Sequence, residues 1–349
     1  MTRSVLGLDI GGANLKAAHT NGQISVQPFA LWKHPGLLSD ALTALVRKFP
    51  PANLWAVTMT GELCDCFATK REGVNAILDA VATVAGSEPV RVWQTDGQLV
   101  EHGRAQMQPL LCAAANWHAL ATFAGRFLPS GPGVLVDIGS TTTDIIPLKD
   151  GRPAMKGRTD PERFRTGELV YTGAARTPVC ALLGTGGAAE WFATTLDVYL
   201  VLDLVEEEPT NCATADGRPA TRSAAYARLA RMLCGDEETC TPDEIEGLAR
   251  EIFRRQWNII RKGIEQVAWE SGERDTINRG IGERNTIYQP SIILAGSGEF
   301  LARQALTVAP ALPTAKIISL TDEWGAAASR AACAYALCRL AAEAADEEF

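Results

Sequence analysis

Val5-Leu6-Gly7-Leu8-Asp9-Ile10-Gly11-Gly12-Ala13-Asn14-Leu15-Lys16 and Val134-Leu135-Val136-Asp137-Ile138-Gly139-Ser140-Thr141-Thr142-Thr143-Asp144 are two versions of one phrase. Each reads as an apolar strand that delivers an Asp, then a glycine turn, then a second strand. Glycine in such a turn lets the backbone approach a ligand closely. Successive amides there form an anion-binding concavity, and Ser or Thr hydroxyls add donors. An Asp ending the first strand can hold Mg²⁺, usually through water, beside a phosphate. Two copies facing each other would clamp a diphosphate or triphosphate with its metal. The candidate phosphate ligands are therefore Gly11, Gly12, Asn14 and Lys16 from the first copy and Gly139, Ser140, Thr141 and Thr142 from the second, with Asp9 and Asp137 at the metal. Lys16, on a strand, reads equally well as a surface cation.

A third glycine turn, Gly296-Ser297-Gly298-Glu299, follows the apolar run Ile293-Leu294-Ala295. It is a poor dinucleotide fingerprint, because the third glycine is missing and no strand–helix–strand unit follows. Hairpin, hairpin and glycine turn in this order resemble the actin-like ATPase superfamily of sugar kinases, heat-shock ATPases, actin and hydantoinase/oxoprolinase. That resemblance implies a two-domain α/β fold with ribonuclease H-like mixed sheets flanked by helices and a ligand cleft between the domains. It also implies that the third turn approaches an adenosine.

The bulk properties fit such a protein. The chain has 349 residues, enough for two domains with real cores. A net charge of −8 gives no reason to expect nucleic acid or an anionic membrane as partner, so local features must hold any anion. No apolar run is long enough to span a bilayer, and strand chemistry begins by residue 4, where a secretion leader would lie. Nine cysteines without a disulfide-like framework read as reduced thiols of a cytoplasmic protein. Cys64-x-Cys66 reads as small side chains near a turn, and the four histidines have no metal-ligand spacing.

Taken in order, the pattern predicts a hairpin over 4–19, a strand over 23–32 after Asn21-Gly22, and a helix over 37–48. A strand over 54–60 leads into Glu62 and Asp65, two carboxylates at the sheet edge where ligands of α/β folds collect. Either could serve as a base, or both could belong to a solvated turn. Helices are expected over 70–85 and 109–128, the latter carrying Asn116, with a strand at 90–95 and a linker at 129–133. The chain reads as irregular after Pro147. There Arg163, Arg165 and Arg176 either contact an anionic ligand or make surface pairs with Glu162 and Glu168. Thr241, Pro242 and Glu244 open a long helix to about Trp269. The near-repeat at 272–277 and 282–287 reads as a surface hairpin insertion spanning 271–289. A strand at 315–320 precedes a long Ala-rich helix. The domains are expected at 1–130 and 131–322, with 323–349 packing back on the first.

Finer features narrow the resemblance. Thr60-Gly61-Glu62-Leu63, Ala113-Ala114-Ala115-Asn116-Trp117, the second hairpin, and Thr166-Gly167-Glu168-Leu169-Val170-Tyr171-Thr172-Gly173 through Arg176-Thr177-Pro178 are similar to hydantoinase/oxoprolinase-related proteins of tetrahydromethanopterin-linked one-carbon metabolism. Archaeal members are methanofuran-biosynthesis synthases. They join an aminomethylfuran-methyl diphosphate to the phenol of γ-glutamyltyramine and release diphosphate. The resemblance implies a transferase with Mg²⁺ at Asp9 and Asp137, donors at the hairpins, Lys16, Arg165 and Arg176 on the diphosphate, and Glu62 or Asp65 as base. The phenolic amine acceptor stays open between γ-glutamyltyramine and a tyrosine-like molecule, and so does the oligomeric state. If ATP is still used, Gly296–Glu299 binds its adenosine and the enzyme is a small-molecule kinase or a hydantoinase-like hydrolase; otherwise the turn lines the acceptor pocket. A non-catalytic nucleotide-sensing scaffold is the remaining reading. The usual Thr-rich hydantoinase first loop is replaced here by Ala13-Asn14-Leu15-Lys16, which argues against carrying over that activity.

Overall fold

A computed structural model describes residues 4–278, 291–307 and 316–347, with side chains described up to 268 in the long helix and up to 345 in the last one. The first sheet holds β1 (Val5–Ile10), β2 (Asn14–His19), β3 (Ile24–Pro28), β4 (Leu54–Met59), β5 (Val90–Trp93) and β6 (Leu99–Glu101) in the order β3-β2-β1-β4-β5-β6. β1 runs antiparallel to β2 and parallel to β4, and β4 runs parallel to β5. The second sheet holds β7 (Pro132–Ile138), β8 (Thr143–Lys149), β9 (Arg152–Pro153), β10 (Leu169–Val170), β11 (Ser291–Ala295) and β12 (Ile317–Ser319). Its order is β10-β8-β7-β11-β12, with β9 also paired to β8. β7 is antiparallel to β8 and parallel to β11, which is parallel to β12. Each sheet thus has an opening hairpin beside two parallel strands reached by crossovers. This is the ribonuclease H-like arrangement, and it occurs twice.

Every residue of β1 and β4 is buried, as expected of central strands covered on both faces. The last helix, Ala332–Glu347, covers one face of the first sheet. It comes so close that a Cβ on Gly7 would lie 2.4 Å from the Ala334 carbonyl oxygen and 2.8 Å from the Cys338 backbone nitrogen. The Ala-rich sequence serves this contact. On the second sheet, the long helix Pro242–Asn278 packs with Ile252, Ile260 and Ile264 in a core shared with Val134, Val136 and Ile145. The expected capping box is present: Thr241 Oγ1 accepts from the Glu244 amide at 3.4 Å, and Glu244 Oε2 accepts from the Thr241 amide at 2.8 Å.

Several expected elements differ. The 109–128 helix is two helices, Pro109–Cys112 and Asn116–Ala124, because Ala114 sits at φ 47° and breaks the run. Asn116 opens the second helix, and its Oδ1 accepts from the Trp117 amide at 2.8 Å. The stretch after Pro147 is not irregular throughout. Thr159 and Glu162 form a capping box that starts a helix over Asp160–Thr166, closed by Gly167 in the left-handed region. Within the expected hairpin insertion, 271–278 instead continues the long helix, and 279–289 lies outside the described residues. Among the described residues, no helix is long and apolar enough to cross a membrane.

Candidate active site

The two hairpins close identically. The Gly11 amide donates to the Asn14 carbonyl at 3.0 Å, and the Gly139 amide donates to the Thr142 carbonyl at 2.9 Å. These two amides are therefore spent within their own turns, which corrects their expected role as phosphate donors. The amides of Gly12, Ser140 and Thr141 and the side chains of Asn14, Ser140, Thr141 and Thr142 have no protein partner among the described residues.

Register places the charged groups. Asp9 pairs across β2 with Lys16 and across β4 with Thr58. In the second sheet Asp137 pairs across β8 with Asp144 and across β11 with Ala295. Cross-strand partners share a face, so each hairpin presents a two-residue charged row: Asp9 with Lys16, and Asp137 with Asp144. Asp144 is the counterpart of Lys16, with the charge reversed. It is a site residue missed in the sequence, although aligning the two phrases residue by residue would have found it.

Three carboxylates then share one lysine. Lys16 Nζ lies 3.8 Å from Asp9 Oδ2. Burial raises the pKa of Asp9, opposed by Lys16 and aided by Asp144. Burial and the neighbouring Asp144 push Asp137 up to about 7. Lys16 is depressed by burial, but the charges of Asp9, Cys333, Asp137 and Asp144 outweigh this and raise it. Cys333, from the last helix, donates its thiol to Asp137 Oδ2 at 3.9 Å. Asp9 Oδ1 and the neighbouring Thr58 hydroxyl are buried without a hydrogen-bond partner. An excess of carboxylate charge with an orphaned carboxylate oxygen suits a hard divalent cation. Among the described residues no three such side chains converge on one ion. Asp9 and Asp137 are the kind of donor that suits Mg²⁺, which keeps several waters and takes one or two carboxylates plus substrate phosphates.

Arg163 supplies the cation for the second hairpin. It is 1% exposed, donates to Asp144 Oδ1 at 2.7 Å and to the Glu168 carbonyl at 3.1 Å, and stacks 4.0 Å from the Trp117 ring centroid. The expected pairs with Glu162 and Glu168 do not form at Arg163. Glu162 caps the amides of Arg158 and Thr159, while Glu168 accepts from the amides of Lys156 and Gly157. Arg165, two residues on, points to the opposite side of the helix and is exposed, so it does not join the site. Arg176 lies against the second hairpin, its amide donating to the Ser140 carbonyl at 2.9 Å.

The segment carrying Arg176 lies on the second hairpin, where a Cβ on Gly173 would fall 2.6 Å from Thr141 backbone atoms. The Gly173 carbonyl accepts from Thr195 Oγ1 at 3.0 Å and Gln256 Nε2 at 2.8 Å, which fixes the loop. Gln256 is in turn held by the hydroxyl of buried Tyr199.

Glu62 and Asp65 part company. β4 ends in a tight turn over Gly61–Leu63 that buries Glu62 at 1% exposure, whereas Asp65 is exposed and fits the solvated-turn reading. Gly73 lets the helix Lys70–Ala85 press on the Glu62 backbone, where a Cβ would be 2.4 Å from the Glu62 carbonyl oxygen. Both Glu62 carboxylate oxygens lack a hydrogen-bond partner, with Lys70 Nζ at 3.9 Å. Burial pushes the Glu62 pKa up to about 7, against the pull of Lys70. Lys70 also pairs with Asp160 at 2.8 Å, tying the first sheet's surroundings to the helix that carries Arg163.

The third turn sits against the second hairpin. The Gly298 amide donates to the Ile138 carbonyl at 2.9 Å, and a Cβ on Gly296 would fall 2.4 Å from Asp137 Oδ1. Ser297 is exposed. Glu299 is not free for a ligand: it accepts from Ser319 and Thr321 hydroxyls at 2.6 Å and pairs with Arg303 at 2.7 Å.

Residues 54–343 match the hydantoinase/oxoprolinase family model. The chain belongs to the hydantoinase/oxoprolinase family. It is 35% identical over 291 residues to (4-{4-[2-(gamma-L-glutamylamino)ethyl]phenoxymethyl}furan-2-yl)methanamine synthase of Methanocaldococcus jannaschii, covering 80% of this chain and 86% of that one. It is 37% identical over 158 residues to the synthase of the same name from Methanococcus vannielii, covering 43% and 71%. Among solved structures, nucleotide-free acetone carboxylase aligns with 97% of this chain and 70% of its own at a TM-score of 0.52 and 10% identity. The fold is that of the actin-like ATPases.

Proposed function

We propose that this family member is a transferase that joins an aminomethylfuran-methyl diphosphate to a phenolic amine, γ-glutamyltyramine or a tyrosine-like acceptor, and releases diphosphate in the synthesis of a furan cofactor for tetrahydromethanopterin-linked one-carbon metabolism. The observation that carries the reading is the identity, over most of both chains, to a synthase named for the aryl ether product. The paired hairpins support it, since the leaving group of such a reaction is a diphosphate.

In this reaction the bond between the furfuryl carbon and the diphosphate oxygen breaks. The furan ring stabilises positive charge on that carbon. The phenol oxygen bonds to it, and its proton passes to a base. Gly12, Ser140 and Thr141 offer amides, and Asn14, Ser140, Thr141 and Thr142 offer side-chain donors to the departing diphosphate. Lys16 and Arg176 add positive charge. Asp9 and Asp137, with Asp144 beside them, would hold Mg²⁺, whose contribution is to neutralise charge on the leaving group. Glu62 is the base, because its raised pKa lets it hold a proton near neutrality. The nine free cysteines suit a cytoplasmic setting. We divide the chain at residues 130 and 322, with the last helix belonging to the first domain.

A second reading, an ATP-dependent kinase or hydrolase, draws on the docking of Gly296–Gly298 against the second hairpin. Incubating the protein and Mg²⁺ with the furan diphosphate and tyramine, γ-glutamyltyramine or tyrosine, followed by mass spectrometry, separates the two. Ether product without ATP supports the transferase and identifies the acceptor. Product or ADP only when ATP is present supports the second reading.

A further inference from the structure

Arg176 stands apart from the other arginines near the cores. Arg163 is paired with Asp144, and Arg228 with Asp197 at 2.7 Å. The Arg176 side chain is partly buried, and among the described residues it makes no hydrogen bond or ion pair. Its guanidinium carbon lies 4.2 Å from the Trp32 ring centroid. The two residues are tied to opposite hairpins. The Arg176 amide donates to the Ser140 carbonyl, and the amide of Leu31, next to Trp32, donates to the Gly12 carbonyl, both at 2.9 Å. Cys64 fills the space beside Gly12, its Sγ 2.7 Å from where a Cβ would stand. The contact therefore links the two turns whose tip amides, those of Gly12, Ser140 and Thr141, have no partner among the described residues.

A guanidinium held over an indole face by cation–π attraction still has N–H groups for oxygen, and the contact limits the directions in which they point. We propose that Trp32 is a positioning residue: it holds the Arg176 guanidinium across the two hairpin tips so that its edge clamps a diphosphate bound between them. This rests on the diphosphate reading above and adds to it a residue and a geometry. Partial burial with no ion pair among the described residues leaves Arg176 a partly desolvated cation that an incoming anion would satisfy.

The test is calorimetric titration of the full chain with inorganic pyrophosphate and Mg²⁺, using wild type, Trp32→Phe, Trp32→Leu, Arg176→Met, Arg176→Lys and the Trp32→Leu/Arg176→Met double variant. Removing the guanidinium should weaken binding by roughly 30-fold or more, as expected for a charge-assisted contact. Trp32→Leu should cost about 10-fold, and Trp32→Phe, which keeps a ring, less than about 3-fold. Arg176→Lys should recover only part of what Arg176→Met loses, because an ammonium keeps the charge but has no fork to orient. In the Arg176→Met background, Trp32→Leu should add nothing. For ether formation, Trp32→Leu should raise KM for the diphosphate with little change in kcat. Wild-type affinity in Trp32→Leu, or the same loss with and without Arg176, overturns the proposal while leaving the diphosphate reading intact. Wild-type protein that does not bind pyrophosphate overturns the diphosphate reading itself, and the clamp with it.

Discussion

Glu62→Gln tests whether a buried base is kept at the expense of stability. Glu62 is 1% exposed, its two oxygens have no hydrogen-bond partner among the described residues, and its ion pair with Lys70, at 3.9 Å, is too long for a hydrogen bond. Its pKa moves from 4.5 to about 7 on folding. As pH rises from 4.5 to 7, the unfolded chain loses this proton while the folded chain keeps it. The wild type must therefore lose stability through that window and level off above it. At about 1.4 kcal/mol per pKa unit, the whole loss is about 3 kcal/mol. Gln cannot ionise, so any constant cost of its amide cancels in the pH dependence. Urea unfolding of both proteins between pH 4.5 and 8.5 should show the variant gaining about 3 kcal/mol on the wild type across the range. Over the same range ether formation by the variant should fall by roughly 10²–10⁴-fold. Parallel stability curves would refute the burial argument. Undiminished turnover would refute the base assignment.

Three further outcomes are expected. Arg163→Met leaves Asp144 beside Asp9 and Asp137 without its cation and should cost about 3–5 kcal/mol by urea unfolding, while Arg163→Met/Asp144→Asn should recover most of it. Gly173→Ala drives a Cβ to 2.6 Å from Thr141 and should destabilise by about 1–3 kcal/mol, while also raising KM for the diphosphate in steady-state assays. Asp137→Asn should abolish Mn²⁺ binding measured by electron paramagnetic resonance in the presence of pyrophosphate, with circular dichroism unchanged.

The two hairpins were legible because their chemistry is local: a strand, an Asp, a glycine turn and a return strand within a dozen residues. The capping box at Thr241 and the small residues of the last helix were legible for the same reason. What escaped depends on contacts between distant segments. Glu62 and Asp65 look alike in sequence, and only the approach of Gly73 on the next helix buries one and leaves the other in water. Arg163 and Arg165 likewise differ by the face of a helix that the sequence pattern did not reveal. The Gly11 and Gly139 amides do not face a ligand because a turn tight enough to present its tip must first use an amide to close itself. The break at Ala114 lies in a run of good helix formers, so propensity pointed the wrong way.

The most direct test of the central claim is ³¹P nuclear magnetic resonance of wild-type protein with Mg²⁺, the furan diphosphate and the acceptor that gives product, with no nucleotide added. Release of one diphosphate per ether formed is the predicted result. Absence of diphosphate release until ATP is supplied would contradict it, and would return the third glycine turn to a nucleotide.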